Sequence, residues 1–287
     1  MSRVHDALRR AEMGGSPIDG LSGPSQPEVP AEVTPVSMDA APTLRLNLNS
    51  GMLADVEVVK FDPAPESHLL DLNNSHETPA EEFRTLRTRL NHLQTLQPLH
   101  TAIVTSPSPA EGKTFTAVNL ALAEAQLTES LVLLGDFDLR RPIVHSLFQI
   151  NRSPGISDYL TGQCTFAQAL RKVDGMNLYV LPAGSPVRNP LELLNMRQVK
   201  ALFEELPRTF NWSIFDTPPL LFSADANLLA TLADGAILVV KIGSTTFDNV
   251  TRAMQSLCEN NVLGIVANGA RASELYSKYT YYYSRTD

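Results

Sequence analysis

An α/β fold, with a mostly parallel central sheet flanked by helices, follows from three observations on these 287 residues. From residue 79 onward, short segments rich in Val, Ile and Leu alternate with helical segments. The apolar segments are continuous rather than alternating, as strands covered on both faces must be. One of them runs straight into Gly112-Lys113-Thr114, and two others end in aspartate. The alternation predicts parallel strands joined by helical crossovers.

The first elements are the least regular. Residues 2–12 can form a short helix, with Val4 and Leu8 on one side and Arg3, Arg9 and Arg10 around them. This segment either frays or docks on a partner. Residues 13–42 hold six prolines and four glycines and no Lys or Arg. Too little apolar area is available there to offset the entropy of ordering, so 13–78 reads largely as a disordered linker. Within it, Asp55–Phe61 is compatible with an edge strand, ended by Pro63 and Pro65. Pro79 suits the first position of a helix over 79–90, and Glu81 and Glu82 complement its dipole. Strands are expected at 101–106, 131–135, 177–181, 212–216, 236–241 and 263–268. Helices are expected at 113–126, 166–172, 197–206, 225–232 and 247–260.

Charge narrows the function classes. The net charge is -8, concentrated in residues 1–78, and the remainder is nearly balanced. A basic face for nucleic acid is not expected. Cys164 and Cys258 lack metal-ligand spacing and read as buried, reduced thiols. No apolar run approaches the roughly 20 residues of a membrane span. A cytoplasmic protein is expected, recruited to a membrane only through a partner.

The segment Ser106-Pro-Ser-Pro-Ala-Glu-Gly-Lys-Thr114, between a strand and a helix, is a phosphate loop. Its backbone N–H groups and the helix's positive end suit a nucleotide's phosphates. Ala110, Glu111, Gly112, Lys113, Thr114 and Phe115 form the expected ATP-binding set. Lys113 would bridge β- and γ-phosphates, and the Thr114 hydroxyl would ligate Mg²⁺. Pro107 stands where the usual motif begins with glycine. Asp136 and Asp138 end one strand and Asp216 another. Ligands of open α/β sheets bind at the carboxyl ends of the strands, so the three carboxylates should share the crevice with Lys113. Singly, each aspartate could cap a turn; together they call for a cation between them.

Taken together, these motifs resemble the catalytic domain of the bacterial tyrosine kinases that govern capsule and exopolysaccharide synthesis. The resemblance spans about 68–287. It rests on Ser108–Ala121, on Asp-Phe-Asp-Leu-Arg-Arg-Pro at 136–142 and on Asp-Thr-Pro-Pro at 216–219 followed by Ser223-Ala-Asp-Ala226. Residues 181–194 and the opening twelve residues also fit. Ala110, where glycine is common, and Gly135, where a bulky apolar residue is usual, depart from the pattern. The resemblance implies a P-loop NTPase of the MinD-like (SIMIBI) type, with a kinase domain over 79–270 and a tyrosine-rich tail over 271–287. It implies ATP and Mg²⁺ as cofactors, Lys113, Asp136 and Asp138 as catalytic residues, and Thr114, Asp138 and Asp216 as metal ligands. Asp136 is the implied group that orients or deprotonates the acceptor. Asn268 either contacts adenine or forms a strand-end turn.

Five of the seven tyrosines are Tyr276, Tyr279, Tyr281, Tyr282 and Tyr283, the expected phosphoacceptors. Glu81, Arg84 and Arg87 recur at helical spacing. Alone they read as an intrahelical ion pair; the resemblance implies that they join subunits into a ring, with one subunit's tail entering its neighbour's site. A membrane polysaccharide co-polymerase is the implied activator. The competing expectations are a MinD/ParA-like ATPase switch and a non-catalytic ATP-binding regulator. Such switches usually carry an extra lysine early in the phosphate loop, and 106–111 has none.

Overall fold

The computed structural model describes residues 52–63, 67, 69–70, 80–257 and 262–270, all within the unit Leu44–Asp287. The helix expected over 2–12, most of the 13–78 linker, Pro79, Cys258 and the tail with its five tyrosines lie outside the described residues.

Eight strands form one sheet among the described residues: β1 (Glu57–Val59), β2 (Thr101–Thr105), β3 (Val132–Asp136), β4 (Arg171–Val173), β5 (Leu178–Leu181), β6 (Trp212–Asp216), β7 (Gly235–Lys241) and β8 (Val262–Asn268). Their order is β1-β4-β5-β3-β6-β2-β7-β8. The six strands from β5 to β8 run parallel, as expected. Strand β1 is the edge strand that the 55–61 pattern allowed, and Val56 beside it is buried.

The expected helix over 166–172 is corrected. Only Phe166–Ala169 is helical, held by a Thr165–Gln168 capping box, and Leu170 is extended. Arg171–Val173 then becomes β4, antiparallel to β5 and parallel to β1. Pairing with two strands outweighs the weak preference of so short a helix.

Helix α1 (Ala80–Leu96) precedes β2, and α2 (Lys113–Ala125) follows it. Alternate residues of β2 face opposite layers: Ile103 joins one core with Leu133, Phe203 and Phe215, and Ala102 and Val104 join the other with Val118, Leu120 and Trp212. Helix α2 is apolar nearly all round because α1 covers the face that the sheet does not. Short helices α3 (Val144–Leu147), α4 (Ile156–Leu160) and α6 (Pro190–Leu194) were not anticipated, and α5 (Phe166–Ala169) is what remains of the helix expected over 166–172. Helices α7 (Arg197–Glu205) and α8 (Ala224–Leu232) match the expected ones within a residue, and α9 (Phe247–Ser256) starts as expected but ends before Leu257, short of the expected 260. Cys164 is a free thiol, half-buried rather than buried. No helix among the described residues is long and apolar enough to cross a membrane.

Candidate functional site

The phosphate loop is fixed by bonds to two other loops and by one within itself. Leu220 N–H donates to the Ser106 carbonyl at 2.9 Å, and the Thr105 hydroxyl donates to the Pro218 carbonyl at 2.9 Å. Buried Glu111 accepts from Ser108 N–H at 2.9 Å and from the Thr245 hydroxyl at 2.6 Å. These bonds hold the loop in an unusual backbone course. Gly112 has φ +95°, and a Cβ there would lie 1.9 Å from the Asn268 amide nitrogen. Ala110 has φ +62°, a left-handed conformation that glycine adopts without steric cost.

Gly112 caps α2 without a side-chain hydrogen bond. The first N–H groups of α2 thus stand at a bare positive helix end, the usual setting for a phosphate. Asn268 closes the β8 side of the loop: its amide donates to the Glu111 carbonyl at 3.0 Å, and its oxygen accepts from Gly269 N–H at 2.8 Å. Its described hydrogen bonds form a turn at the strand end, against the loop itself.

Lys113, Asp136, Asp138, Thr114 and Asp216 converge at the ends of β2, β3 and β6. The Lys113 ammonium donates to Asp138 at 2.7 Å and lies 3.5 Å from Asp216. The Thr114 hydroxyl donates to Asp216 at 2.6 Å. Asp136 is fully buried; one oxygen accepts from Val144 N–H at 3.1 Å, and the other has no hydrogen-bond partner among the described residues. Burial, then the Asp216 charge, hold the Asp136 carboxyl well above the usual carboxylate range. Burial pushes Asp216 up to about 6 against the pull of Lys113. For Lys113, burial works against the charge, but Asp216 and Asp138 outweigh it and raise the pKa. Lys113 was expected to bridge phosphates, and it faces the carboxylates Asp138 and Asp216.

Three carboxylates beside one ammonium, with one buried oxygen unsatisfied, fit a cation. Among the described residues no three His, Cys, Asp or Glu side chains form a metal cage. Mg²⁺ keeps most of its waters and needs only one or two direct protein ligands, so the donor set suits it.

A cleft of about 630 Å³ opens beside Lys113. Asp138, Arg140, Arg141, Ile143, Pro218 and Phe222 line it away from the phosphate loop. Asp136 is not in that lining. Arg140 makes a two-pronged bond with buried Asp225, at 2.7 and 3.1 Å, and the Ser223 hydroxyl accepts from Asp225 N–H at 3.2 Å. Both segments stand out in the sequence, but their pairing across 85 positions does not. Gly135, the other departure, leaves space that aromatic rings fill: a Cβ there would lie 2.7 Å from Phe215 and 2.9 Å from Phe137.

The Glu81, Arg84 and Arg87 set is split. Arg84 pairs with Glu81 on the same helix. Arg87 reaches inward, donating to the Ala123 carbonyl at 2.8 Å.

No family model matches the chain. It is similar to the tyrosine-protein kinase YwqD of Bacillus subtilis, 36% identical over 205 residues, which are 71% of this chain and 86% of that protein. It is also similar to the tyrosine-protein kinase Etk of Escherichia coli K12, 32% identical over 212 residues, which are 72% of this chain but only 29% of Etk. The solved kinase domain of Etk superposes with a TM-score of 0.65 at 28% identity, covering 75% of this chain and 89% of that domain. Pyrococcus furiosus cell division ATPase MinD shares the fold alone, with a TM-score of 0.51 at 21% identity over 58% of this chain and 71% of its own.

Proposed function

The chain belongs to the bacterial tyrosine-protein kinases, and from that premise we propose that it transfers the γ-phosphoryl group of ATP to tyrosines of its own C-terminal cluster, subunit to subunit. The observation that carries this reading is the convergence of Lys113, Thr114, Asp136, Asp138 and Asp216 at one sheet end, beside an open cleft. The acceptors are Tyr276, Tyr279, Tyr281, Tyr282 and Tyr283. The biological setting is synthesis or export of an extracellular polysaccharide, with a membrane partner as activator. Glu81, Arg84 and Arg87 serve the assembly, the first two from the outer side of α1 and Arg87 by holding α1 to α2.

Lys113 turns from Asp138 to the phosphates when nucleotide enters, because phosphate oxygens offer it more charge. The phosphate loop's N–H groups hold the β-phosphate, and its fixed course means that little reorganisation accompanies binding. Thr114, Asp138 and Asp216 are the residues to hold Mg²⁺, which supplies charge neutralisation on the phosphates. The phenol oxygen bonds to the γ-phosphorus while that phosphorus loses its bond to the bridging oxygen, and ADP leaves with the electron pair. The phenol proton passes to a carboxylate, Asp136 in the family's pattern. Asp138, which lines the cleft, orients the hydroxyl.

The test is intact-mass and peptide mass spectrometry of the full chain after incubation with Mg·ATP. Wild type gains phosphate on the tail tyrosines. Asp136→Asn keeps ATP affinity but loses transfer about 100-fold. Truncation after Ser273 keeps ATP binding and loses most incorporated phosphate. Steady ATP hydrolysis with no tail phosphate in wild type refutes the kinase reading.

A further inference from the structure

The cleft beside Lys113 has one feature that phosphate chemistry does not require. Ile143 and Phe222 are large apolar side chains left 47% and 68% exposed, and both line it. Their backbones are not loose. Leu220 and Leu221 donate to the Ser106 and Pro107 carbonyls at 2.9 and 3.4 Å, and Phe222 N–H donates to the Pro219 carbonyl at 3.2 Å. On the other side, Ile143 lies between Arg140, which is anchored on Asp225, and Val144, whose N–H is bound by Asp136. An ordered scaffold that holds out two exposed apolar groups across one cleft marks a contact site.

The topology decides which side of the nucleotide they serve. Counting outward from the loop after β2, β6 and β3 lie on one side and β7 and β8 on the other. The carboxylates end β6 and β3, and Ile143 and Phe222 follow those same strands. Asn268, closing the loop on the opposite side, ends β8. The apolar pair therefore lies on the carboxylate side of the loop, opposite Asn268.

We propose that Ile143 and Phe222 form an apolar lip that takes the ring of the acceptor tyrosine, from residues 276–283 of a second copy, and thereby selects a phenol over an aliphatic hydroxyl. The proposal rests on the kinase reading above. A phenol matches the lip because it carries an apolar ring on a hydroxyl, while serine and threonine have nothing to bury there. The tail leaves from the end of β8, and β8 is parallel to β2, β6 and β7, so it emerges at the sheet end that holds the site. At about 3.3 Å per residue, residues 271–287 reach roughly 55 Å, enough to enter the cleft of an adjacent copy.

The experiment offers the full chain Mg·ATP and a synthetic peptide of residues 274–285, alongside the same peptide with every tyrosine replaced by serine. Phe222→Ala and Ile143→Ala should each raise the peptide KM about tenfold, while the KM for ATP stays within twofold. Phe222→Trp should restore the peptide KM. The preference for the tyrosine peptide over the serine peptide should shrink about tenfold in Phe222→Ala. An unchanged peptide KM in both alanine variants overturns the lip while leaving the kinase reading standing. A rise in the KM for ATP alone reassigns the lip to the nucleotide and also overturns it. Wild type that phosphorylates no tyrosine removes both readings.

Discussion

The two ends of α2 each bury a carboxyl group with one unsatisfied oxygen, yet they do opposite things. At the N-terminal end, Asp136 has an oxygen with no partner among the described residues, and so at the C-terminal end does Glu124. Burial raises both carboxyl groups, Glu124 to about 7. Asp136, however, shares its surroundings with Asp138, Asp216 and Lys113 next to an open cleft. Glu124 is sealed under α1: it accepts from the Asn91 amide at 3.0 Å, and Asn91 accepts from the Trp212 indole at 2.7 Å. Arg87 covers the Ala123 carbonyl beside it, where a cation suits the negative helix end. A raised acid is thus no signature of chemistry by itself. It becomes one where several charges converge on a space that a ligand can enter.

The largest expected effect breaks the N-terminal end. Lys113→Met removes the cation that offsets the carboxylates and that the proposed function turns to the phosphates. ATP affinity by calorimetry should fall at least about 100-fold, near 2.7 kcal/mol. The thermal midpoint should move by only a few degrees, because Asp136 and Asp216 relieve the lost pairing by protonation. Retained affinity would take the nucleotide away from this loop.

A middle-sized effect sharpens the C-terminal end. Glu124 has a folded pKa of about 7, above its unfolded value of about 4.5, so the folded state binds more protons between those limits. Its contribution to stability is fully present below pH 4.5, falls as pH rises and is lost above about pH 7. Glu124→Gln should remove that slope, worth on the order of 3 kcal/mol, and leave ATP affinity unchanged. Urea midpoints measured from pH 4.5 to 8 check it. An equal slope in variant and wild type would place the pH dependence at the Asp136 end instead.

The smallest effect concerns the outer face of α1. Glu81 is well exposed and its pair with Arg84 is solvated, so Glu81→Ala should change folding stability by no more than about 0.5 kcal/mol. If Glu81 serves assembly, light scattering should nonetheless show a smaller species than wild type and tail phosphorylation should drop. An unchanged mass distribution in a self-associating wild type would leave the pair a surface ion pair only.

The α/β class, six parallel strands, the aspartates that end two of them and the phosphate loop are legible in the sequence. Each of these is encoded within a few consecutive residues: a run of Val, Ile and Leu, an aspartate at its end, a Gly-Lys-Thr before a helix. The tertiary structure alone decided what depended on partners far away in the chain. Arg171–Val173 became a strand because β1 and β5 offered it hydrogen bonds. Arg87 turned inward because the Ala123 carbonyl lies in the last turn of α2 beside it, and Asn268 closed the phosphate loop across 157 positions. Ile143 and Phe222 became one lip only when the ends of β3 and β6 were laid side by side. Backbone preference and hydrophobic pattern act over a few residues and are legible in order along the chain. Hydrogen bonds and charges act over a few ångströms, and only folding decides which residues those are.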